Sequence, residues 1–209
     1  MWKEVRAFVS HTSIWGMGLV FLIGLVMTAD HFDRGVVWLA IAIGISLFYI
    51  TEYTTHRFVF HGKPPKNPQL LKVFKRLHYD HHESPTDLRL LFLPIWYGLL
   101  NMVVVWVVTF LLTRSLVVPW ALITGATASL LYYEWTHFVA HRPIIPQTSW
   151  GKWMKKYHLW HHFKNEHYWF GVTNPSMDYL GSTYKSVEDV ELSPTARKLY
   201  QEADLNTPF

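Results

Sequence analysis

The chain has 209 residues, a formal charge of +4 and 50% hydrophobic residues, which suits one compact unit and not two soluble domains. It contains no cysteine, so disulfides, thiolate metal sites, iron–sulfur clusters and cysteine nucleophiles are excluded. The positive residues lie mostly beside apolar runs, where they would face anionic lipid headgroups, and this placement argues against nucleic acid as a partner.

Four apolar segments predict four transmembrane helices. A bilayer core of roughly 30 Å needs about 20 helical residues, which the third and fourth segments supply and the first two reach only with their polar flanks. The runs are Ile14–Ala29, Val36–Ile50, Leu90–Leu112 and Leu116–Tyr133, and the predicted helices are approximately residues 12–30, 35–54, 90–112 and 115–135. A signal peptide is the alternative for the first segment, but no clear small-residue cleavage site follows it.

The connections predict two helical hairpins with both chain ends in the cytosol. Short links at residues 30–34 and 113–115 join the helices in pairs. The long stretch between the pairs and the region after the fourth helix are basic, so the positive-inside rule places them in the cytosol. We therefore predict an all-α integral membrane protein, in which residues 1–186 form a single domain with a cytosolic helical cap (residues 55–89 and 136–186). Residues 187–209 are predicted to form a polar, solvated tail.

Ten of the thirteen histidines fall into four clusters within the predicted cap. Neutral imidazole is the commonest nitrogen donor to transition metals, so ten such groups at one depth are enough to hold two ions with several ligands each. A lone histidine is more often a hydrogen-bonded structural residue, and we interpret His11, His31 and His167 in that way. The clusters are His56 and His61; His78, His81 and His82; His137 and His141; and His158, His161 and His162.

The spacings within the clusters favour shared helix faces. His137 and His141 are four residues apart, one above the other on a helix. The motifs HYDHH and HLWHH both place histidines at i, i+3 and i+4, which also share a face. His56 and His61 are five residues apart, about 140° round a straight α-helix. This pair either bends the helix or sends its imidazoles to different ions, and the second arrangement is natural if two metals lie side by side.

Three carboxylates are candidates for supporting the histidines. Glu52 and Glu134 lie near the ends of apolar segments, where an uncompensated carboxylate is costly, so partner contacts are expected. Glu134 shares a helix face with His137 and is placed to orient a ligating imidazole through its second ring nitrogen. Asp178 is the third candidate. No catalytic residue beyond the metal ligands and no organic cofactor is predicted.

The ordered motifs HRFVFH, HYDHH, HFVAH and HLWHH, followed by FGVTNPSMDYLGSTY, resemble the membrane fatty acid hydroxylase and sterol desaturase superfamily over residues 48–184. Within it the chain looks most like the fatty acid 2-hydroxylases that act on sphingolipid acyl chains. The resemblance implies a four-helix membrane unit with a cytosolic dimetal site, and it carries the metal-ligand role onto the ten clustered histidines.

The resemblance also implies the chemistry. We expect two Fe ions, with five histidines each, that use O2 as cosubstrate to hydroxylate a lipid acyl chain at C2 of a fatty acid or a sphingolipid N-acyl group. Zinc binds imidazole sites more tightly than ferrous iron, so zinc is expected to replace iron in purified protein. The eukaryotic 2-hydroxylases commonly carry an N-terminal cytochrome b5 domain, for which the residues before Trp15 have no room. A separate electron donor, such as a cytochrome b5 or ferredoxin system, is therefore expected.

Two alternatives stay open. A desaturase, sterol methyl oxidase or carotenoid ring hydroxylase would use the same histidine site, and only the lipid products would distinguish it. A metal-binding membrane transporter or sensor belongs to another class. It would place its ligands along a path through the bilayer, whereas the four clusters lie just outside the apolar runs.

Overall fold

The computed structural model describes residues 2–199, and every regular element in that range is helical. This confirms the predicted all-α class. The α-helices are α1 (Trp2–Val9), α2 (Thr12–Ala29), α3 (Gly35–Thr54), α4 (Pro68–Phe74), α5 (Asp80–Glu83), α6 (Leu88–Leu91), α7 (Ile95–Thr113), α8 (Val117–His141), α9 (Ser149–Phe163) and α10 (Ser176–Leu180). Two π-helical segments, Thr55–Phe60 and Lys75–Tyr79, and a 3₁₀ turn at Val187–Asp189 complete the list.

The chain divides into two compact units. The first comprises the residues up to Ile50 together with Leu93–Trp135, and the second comprises Thr51–Phe92 together with the residues from Thr136 onward. Most of α2, α3, α7 and α8 belongs to the first unit. All ten clustered histidines belong to the second.

Three helical stretches in the described part of the chain are long and apolar enough to cross a membrane: Thr12–Ala29, Gly35–Phe60 and Leu88–Thr113. They coincide with the first three predicted spans. The fourth predicted span lies in α8, which has 25 residues but is less apolar than the other three. Residues 121–127 of α8 are all buried, and a helix enclosed by other helices tolerates polar residues on its interior faces.

Helix α8 packs against three neighbours within the first unit. Met17 of α2 and Met102 of α7 share one apolar cluster with Ile123, Ala126 and Leu130 of α8. The buried threonines of α8 donate their hydroxyls to carbonyls one turn back in the same helix, as Thr127 does to Ile123 at 2.6 Å. These threonine hydroxyls are therefore hydrogen-bonded within the helix, as polar groups in the interior of a membrane bundle must be.

Two glycines set the close approach of α3 and α8. A Cβ added to Gly125 would overlap the carbonyl oxygen of Ile41, and one added to Gly44 would overlap the carbonyl oxygen of Leu122. Helix backbones approach this closely only where small residues face each other. The α3–α8 contact therefore depends on the absence of a side chain at both positions.

Replacing Gly125 by alanine should destabilise the first unit by about 1–3 kcal/mol, the usual cost of overpacking. The matched control is Gly18→Ala, since a Cβ at Gly18 meets no atom within 4 Å and alanine is the better helix former. Thermal unfolding in detergent should show a lower midpoint for Gly125→Ala and an unchanged or higher one for Gly18→Ala. Equal midpoints for the two variants would contradict the packing described above.

The predicted solvated tail differs from the structure over residues 187–199. Val190, Ser193 and Ala196 are buried, and the amide of Ser193 donates to the Lys164 carbonyl at 2.7 Å. Buried positions recur every third residue, and the side chains of Thr195 and Arg197 donate to groups of the second unit. The composition predicted a solvated stretch because most of its residues are polar or charged. Residues 200–209 of the predicted tail lie outside the described residues.

Candidate metal centre

The ten clustered histidines come together as two groups of five in the second unit. Within each group, one ring nitrogen from every histidine lies within 4.8 Å of the others, and all ten imidazoles are buried except that of His61, which is partly buried. We call these sets the His56 group and the His81 group. The His56 group is His56, His61, His78, His82 and His161, and the His81 group is His81, His137, His141, His158 and His162.

The two HxxHH triplets divide their histidines between the groups in opposite ways. The i and i+4 residues of HYDHH belong to the His56 group, and its i+3 residue, His81, belongs to the other group. In HLWHH the i and i+4 residues belong to the His81 group, and the i+3 residue, His161, belongs to the His56 group. Neighbouring positions on a helix differ by about 100°, so one turn can present side chains to two adjacent groups. Each group therefore contains histidines from both triplets.

The pair with the five-residue gap meets in a single group because the backbone there is π-helical. The segment Thr55–Phe60 is a π-helix, and the amide of His61 donates to the carbonyl of His56 at 3.1 Å, an i to i+5 hydrogen bond. This wider turn brings residues five apart close together, and such bulges are frequent at functional sites. Of the two arrangements that the sequence left open, the structure has the distorted helix. It does not have imidazoles in different groups.

In the His56 group, the Nε2 atom of His61 lies close to the Nε2 atoms of two other histidines. It lies 2.8 Å from Nε2 of His78 and 3.1 Å from Nε2 of His161. The Nε2 atoms of His56 and His82 are buried and have no hydrogen-bond partner. All five Nε2 atoms therefore lack any partner except one another.

The His81 group repeats this arrangement. Nε2 of His81 lies 2.8 Å from Nε2 of His137, and Nε2 of His141 lies 2.9 Å from Nε2 of His158. Neither ring nitrogen of His162 has a hydrogen-bond partner, although its ring is fully buried. Unpaired buried nitrogens are costly, so their presence here calls for a ligand.

Backbone carbonyls fix the opposite edge of four of the rings. Since a carbonyl oxygen only accepts, each of these imidazoles carries its proton on Nδ1 and leaves the Nε2 lone pair free. This is the second hydrogen bond that metal-ligating histidines almost always make. The pairs are His56 with Phe170 at 2.5 Å, His82 with Ala196 at 2.8 Å, His137 with Leu91 at 3.1 Å and His161 with Tyr168 at 2.8 Å.

The electrostatics of the groups favour neutral imidazoles. Burial lowers the pKa of seven of the clustered histidines, and repulsion from neighbouring histidines lowers it further. The affected rings are His61, His78, His81, His82, His158, His161 and His162. Neutral rings with converging lone pairs repel one another unless a cation lies between them. The donor set of each group therefore fits a transition metal ion.

Two of the three candidate carboxylates act on the loop that carries these carbonyls. Asp178 is fully buried and accepts from the amides of Phe170 at 2.9 Å and Gly171 at 2.7 Å. Glu52 accepts from the amides of Val172 at 2.6 Å and Thr173 at 3.0 Å. Burial raises the pKa of the Asp178 carboxyl, and these hydrogen bonds oppose that rise. Both carboxylates thus hold the loop whose Phe170 carbonyl orients His56.

Glu134 accepts from the amide of Leu93 at 3.0 Å. Two residues before Leu93, the carbonyl of Leu91 accepts a hydrogen bond from His137. The sequence predicted partner contacts for Glu52 and Glu134, and both carboxylates accept hydrogen bonds. All three candidate carboxylates accept from main-chain amides, and such contacts cannot be read from side-chain patterns.

Sequence reasoning missed Lys155. Its Nζ donates to the carbonyls of Val139, Arg142 and Ile144 at 2.7–2.9 Å and so caps the end of α8 that carries His141. Burial lowers the pKa of this ammonium. Lysine near a helix C-terminus is a known capping device, but here the lysine comes from α9, so no local pattern could have predicted the contact.

The three remaining histidines belong to neither group. Nδ1 of His11 accepts from the amide of Ser13 at 3.3 Å and caps the start of α2. The His167 side chain is 65% exposed and lies 3.6 Å from Glu166. The backbone amide of His31 bonds to Thr28 after the end of α2.

Comparison with known proteins decides the family. The family model for fatty acid hydroxylase matches residues 41–183, a range that contains all ten histidines and all three carboxylates. The chain belongs to the fatty acid hydroxylase family. This confirms the superfamily to which the histidine motifs pointed.

Individual relatives agree with this assignment. The chain is 32% identical over 151 residues to the dihydroceramide fatty acyl 2-hydroxylase FAH2 of Arabidopsis thaliana, covering 72% of this chain and 62% of the relative. It is 32% identical over 147 residues to the fatty acid 2-hydroxylase of Rattus norvegicus, covering 68% and 38%. The chain therefore spans less than two thirds of the length of these relatives.

A solved structure shares the fold. It is described as full-length scs7p with only the hydroxylase domain visible, and it is 26% identical to this chain with a TM-score of 0.71. The match covers 90% of this chain and 68% of that one. The arrangement of helices in this family member is thus shared with a hydroxylase domain.

Replacing Asp178 by asparagine should loosen the loop that orients His56. The change removes the charge that accepts from two amides and from Thr183, at a cost of about 2 kcal/mol. Thermal unfolding should show lower stability, and zinc titration should show weaker binding at one of the two groups. Asp189→Asn, an isosteric change at an exposed aspartate, is the control and should leave both measurements unchanged. Full zinc affinity in Asp178→Asn would refute the supporting role.

Proposed function

We propose that the chain is a membrane-bound non-haem diiron oxygenase that hydroxylates a lipid acyl chain. The observation that carries this proposal is the convergence of ten imidazoles, nine of them buried, into two groups of five. The relatives named fatty acid 2-hydroxylase and dihydroceramide fatty acyl 2-hydroxylase favour C2 of a fatty acid or of a sphingolipid N-acyl group as the position oxidised.

The proposed metal ligands are the ten histidines, five for each ion. Five imidazoles leave about one octahedral position open on each ion for water or cosubstrate. Two iron ions, when bound, would supply the redox chemistry that activates O2 toward an unactivated C–H bond. Zinc would occupy the same nitrogen donors, since it binds them more tightly than ferrous iron.

The protein's own groups would prepare this site before any substrate arrives. Nδ1 of four histidines donates to backbone carbonyls, which directs the Nε2 lone pairs inward. Glu52 and Asp178 hold the loop around Phe170 in place. Because nearly all of the imidazoles are buried, bulk water is kept from the open positions, which would protect a reactive oxidant from side reactions.

Hydroxylation of R–H by O2 to give R–OH and water consumes two electrons and two protons. The ten ligands are redox-inactive imidazoles, so a continuing cycle needs an external reductant. We propose a separate electron donor, such as a cytochrome b5 or ferredoxin system.

We propose that the chain is integral to a membrane, with four spans in two hairpins and its termini and histidine motifs on the cytosolic side. Exposed apolar side chains on α2 and α7, among them Leu22, Val26, Val103 and Leu111, support lipid contact. Helix α8 would be the fourth span, enclosed by α2, α3 and α7. The basic stretches after the second and fourth spans support the orientation.

Lipid analysis of a host that expresses the chain tests the reaction. A new 2-hydroxy fatty acid, free or in a sphingolipid, is the expected product. A new double bond or a hydroxylated carotenoid or sterol would instead support one of the other enzymes that use this type of site. Metal flux into liposomes with no oxidised lipid would support a transporter and overturn the proposal.

Substituting one histidine from each group should separate the two sites. His81→Ala and His161→Ala should each abolish lipid hydroxylation and lower the bound metal, measured by elemental analysis of purified protein. His167→Ala is the matched control, because His167 belongs to neither group, and should retain both activity and metal. Unchanged metal content in both ligand variants would refute the assignment of these residues.

A further inference from the structure

The segment Ser193–Arg197 contacts the region of the clustered histidines, although no sequence motif predicts these contacts. It follows the stretch matched by the family model, which ends at residue 183. Within the segment, Ser193 and Ala196 are buried at 9% and 3% exposure. We call Ser193–Arg197 the C-terminal strap.

The strap contacts His82 directly. The carbonyl oxygen of Ala196 lies 2.8 Å from Nδ1 of His82, and the His82 ring is fully buried. This carbonyl is the hydrogen-bond partner of Nδ1, whereas Nε2 of His82 has no hydrogen-bond partner. The contact therefore decides which nitrogen of His82 carries the proton and which one faces the His56 group.

Arg197 anchors the strap beside the Ala196 carbonyl. Its Nε donates to the carbonyl of His82 at 3.0 Å, and its Nη2 donates to the carbonyl of Glu83 at 2.7 Å. These are the last carbonyls of α5, which continues the π-helical segment Lys75–Tyr79 and ends at Glu83. The guanidinium also lies 5.0 Å from the centre of the Phe163 ring. The planar guanidinium presents its N–H donors in a fixed geometry, so Arg197 binds both carbonyls at once.

The other end of the strap binds the region after HLWHH. The amide of Ser193 donates to the carbonyl of Lys164 at 2.7 Å, and the hydroxyl of Thr195 donates to the carboxylate of Glu166. Lys164 lies two residues after His162, whose ring stacks on that of His82 at 4.0 Å. The strap thus ties together the C-terminal ends of both HxxHH turns.

We propose that the C-terminal strap is a positioning element of the metal centre, in which the Ala196 carbonyl fixes the tautomer of His82 and Arg197 anchors that carbonyl. His82 then presents Nε2 to the ion of the His56 group. Arg197 and Ala196 are positioning residues that touch neither substrate nor metal. This inference rests on the proposed metal-binding role of the ten histidines.

The test compares zinc affinities in two backgrounds. His81→Ala leaves the His56 group complete, and His161→Ala leaves the His81 group complete. Into each background we would introduce Arg197→Ala and, separately, the control Lys198→Ala, which removes the same charge from the neighbouring exposed residue. Competition with a chromophoric chelator in detergent gives the zinc affinity of each protein, and circular dichroism reports whether it is folded.

Loss of a supporting hydrogen bond to a metal-ligating histidine typically weakens metal binding about 10- to 100-fold. We expect a weakening of that size for Arg197→Ala in the His81→Ala background and a distinctly smaller one in the His161→Ala background. Lys198→Ala should match its parent in both. Thr195→Val, which keeps the side-chain volume and loses the bond to Glu166, should weaken zinc in the same background as Arg197→Ala does.

Other outcomes overturn the inference in different ways. Equal losses of affinity in both backgrounds would show that Arg197 only stabilises the unit as a whole. Wild-type affinity in folded Arg197→Ala and Thr195→Val would show that the strap does not position His82. If neither parent background bound zinc at all, the proposed metal centre would fail, and the strap inference with it.

Discussion

The histidine-bearing unit depends on one electrostatic constraint: ten neutral imidazoles, nine of them buried, direct nitrogen lone pairs at one another. Removing that many polar atoms from water is unfavourable unless each finds a partner. The protein satisfies one edge of several rings with main-chain carbonyls, and the other edge is left for a cation. Four charged side chains support the histidines indirectly, because each binds backbone atoms near one of them. These side chains are Glu52, Asp178, Lys155 and Arg197.

Those parts of the structure that repeat at regular spacing could be predicted from the sequence. The ten histidines were identified from their clustering, and the long helices from apolar runs of bilayer length. Glu52 and Glu134 were selected as candidates because a charge near an apolar segment needs a partner. The pairing of His137 with His141 followed from the four-residue period of an α-helix.

Features that depend on backbone geometry could not be predicted in this way. The placement of His56 and His61 in one group requires a π-helical turn, and the five-residue gap alone was equally compatible with two groups. The supporting carbonyls of Phe170 and Ala196 belong to residues whose side chains carry no relevant signal. The strap was misread as solvated because its polar side chains serve as hydrogen-bond donors to the folded unit. In α8, burial among helices made a less apolar sequence suitable for the interior.

The ligand set has a consequence for charge balance. Every proposed ligand is an uncharged imidazole, so two divalent ions would bring four positive charges into the pocket without a single coordinating anion. The carboxylates of Glu52 and Asp178 bind the loop of residues 170–173 and not the imidazoles, so they would offset this charge only from a distance. Iron ions held by uncharged ligands alone would have their reduced state stabilised relative to ions bridged by carboxylates. Electrons delivered by a modest reductant would therefore stay on the metals until an oxidant arrives.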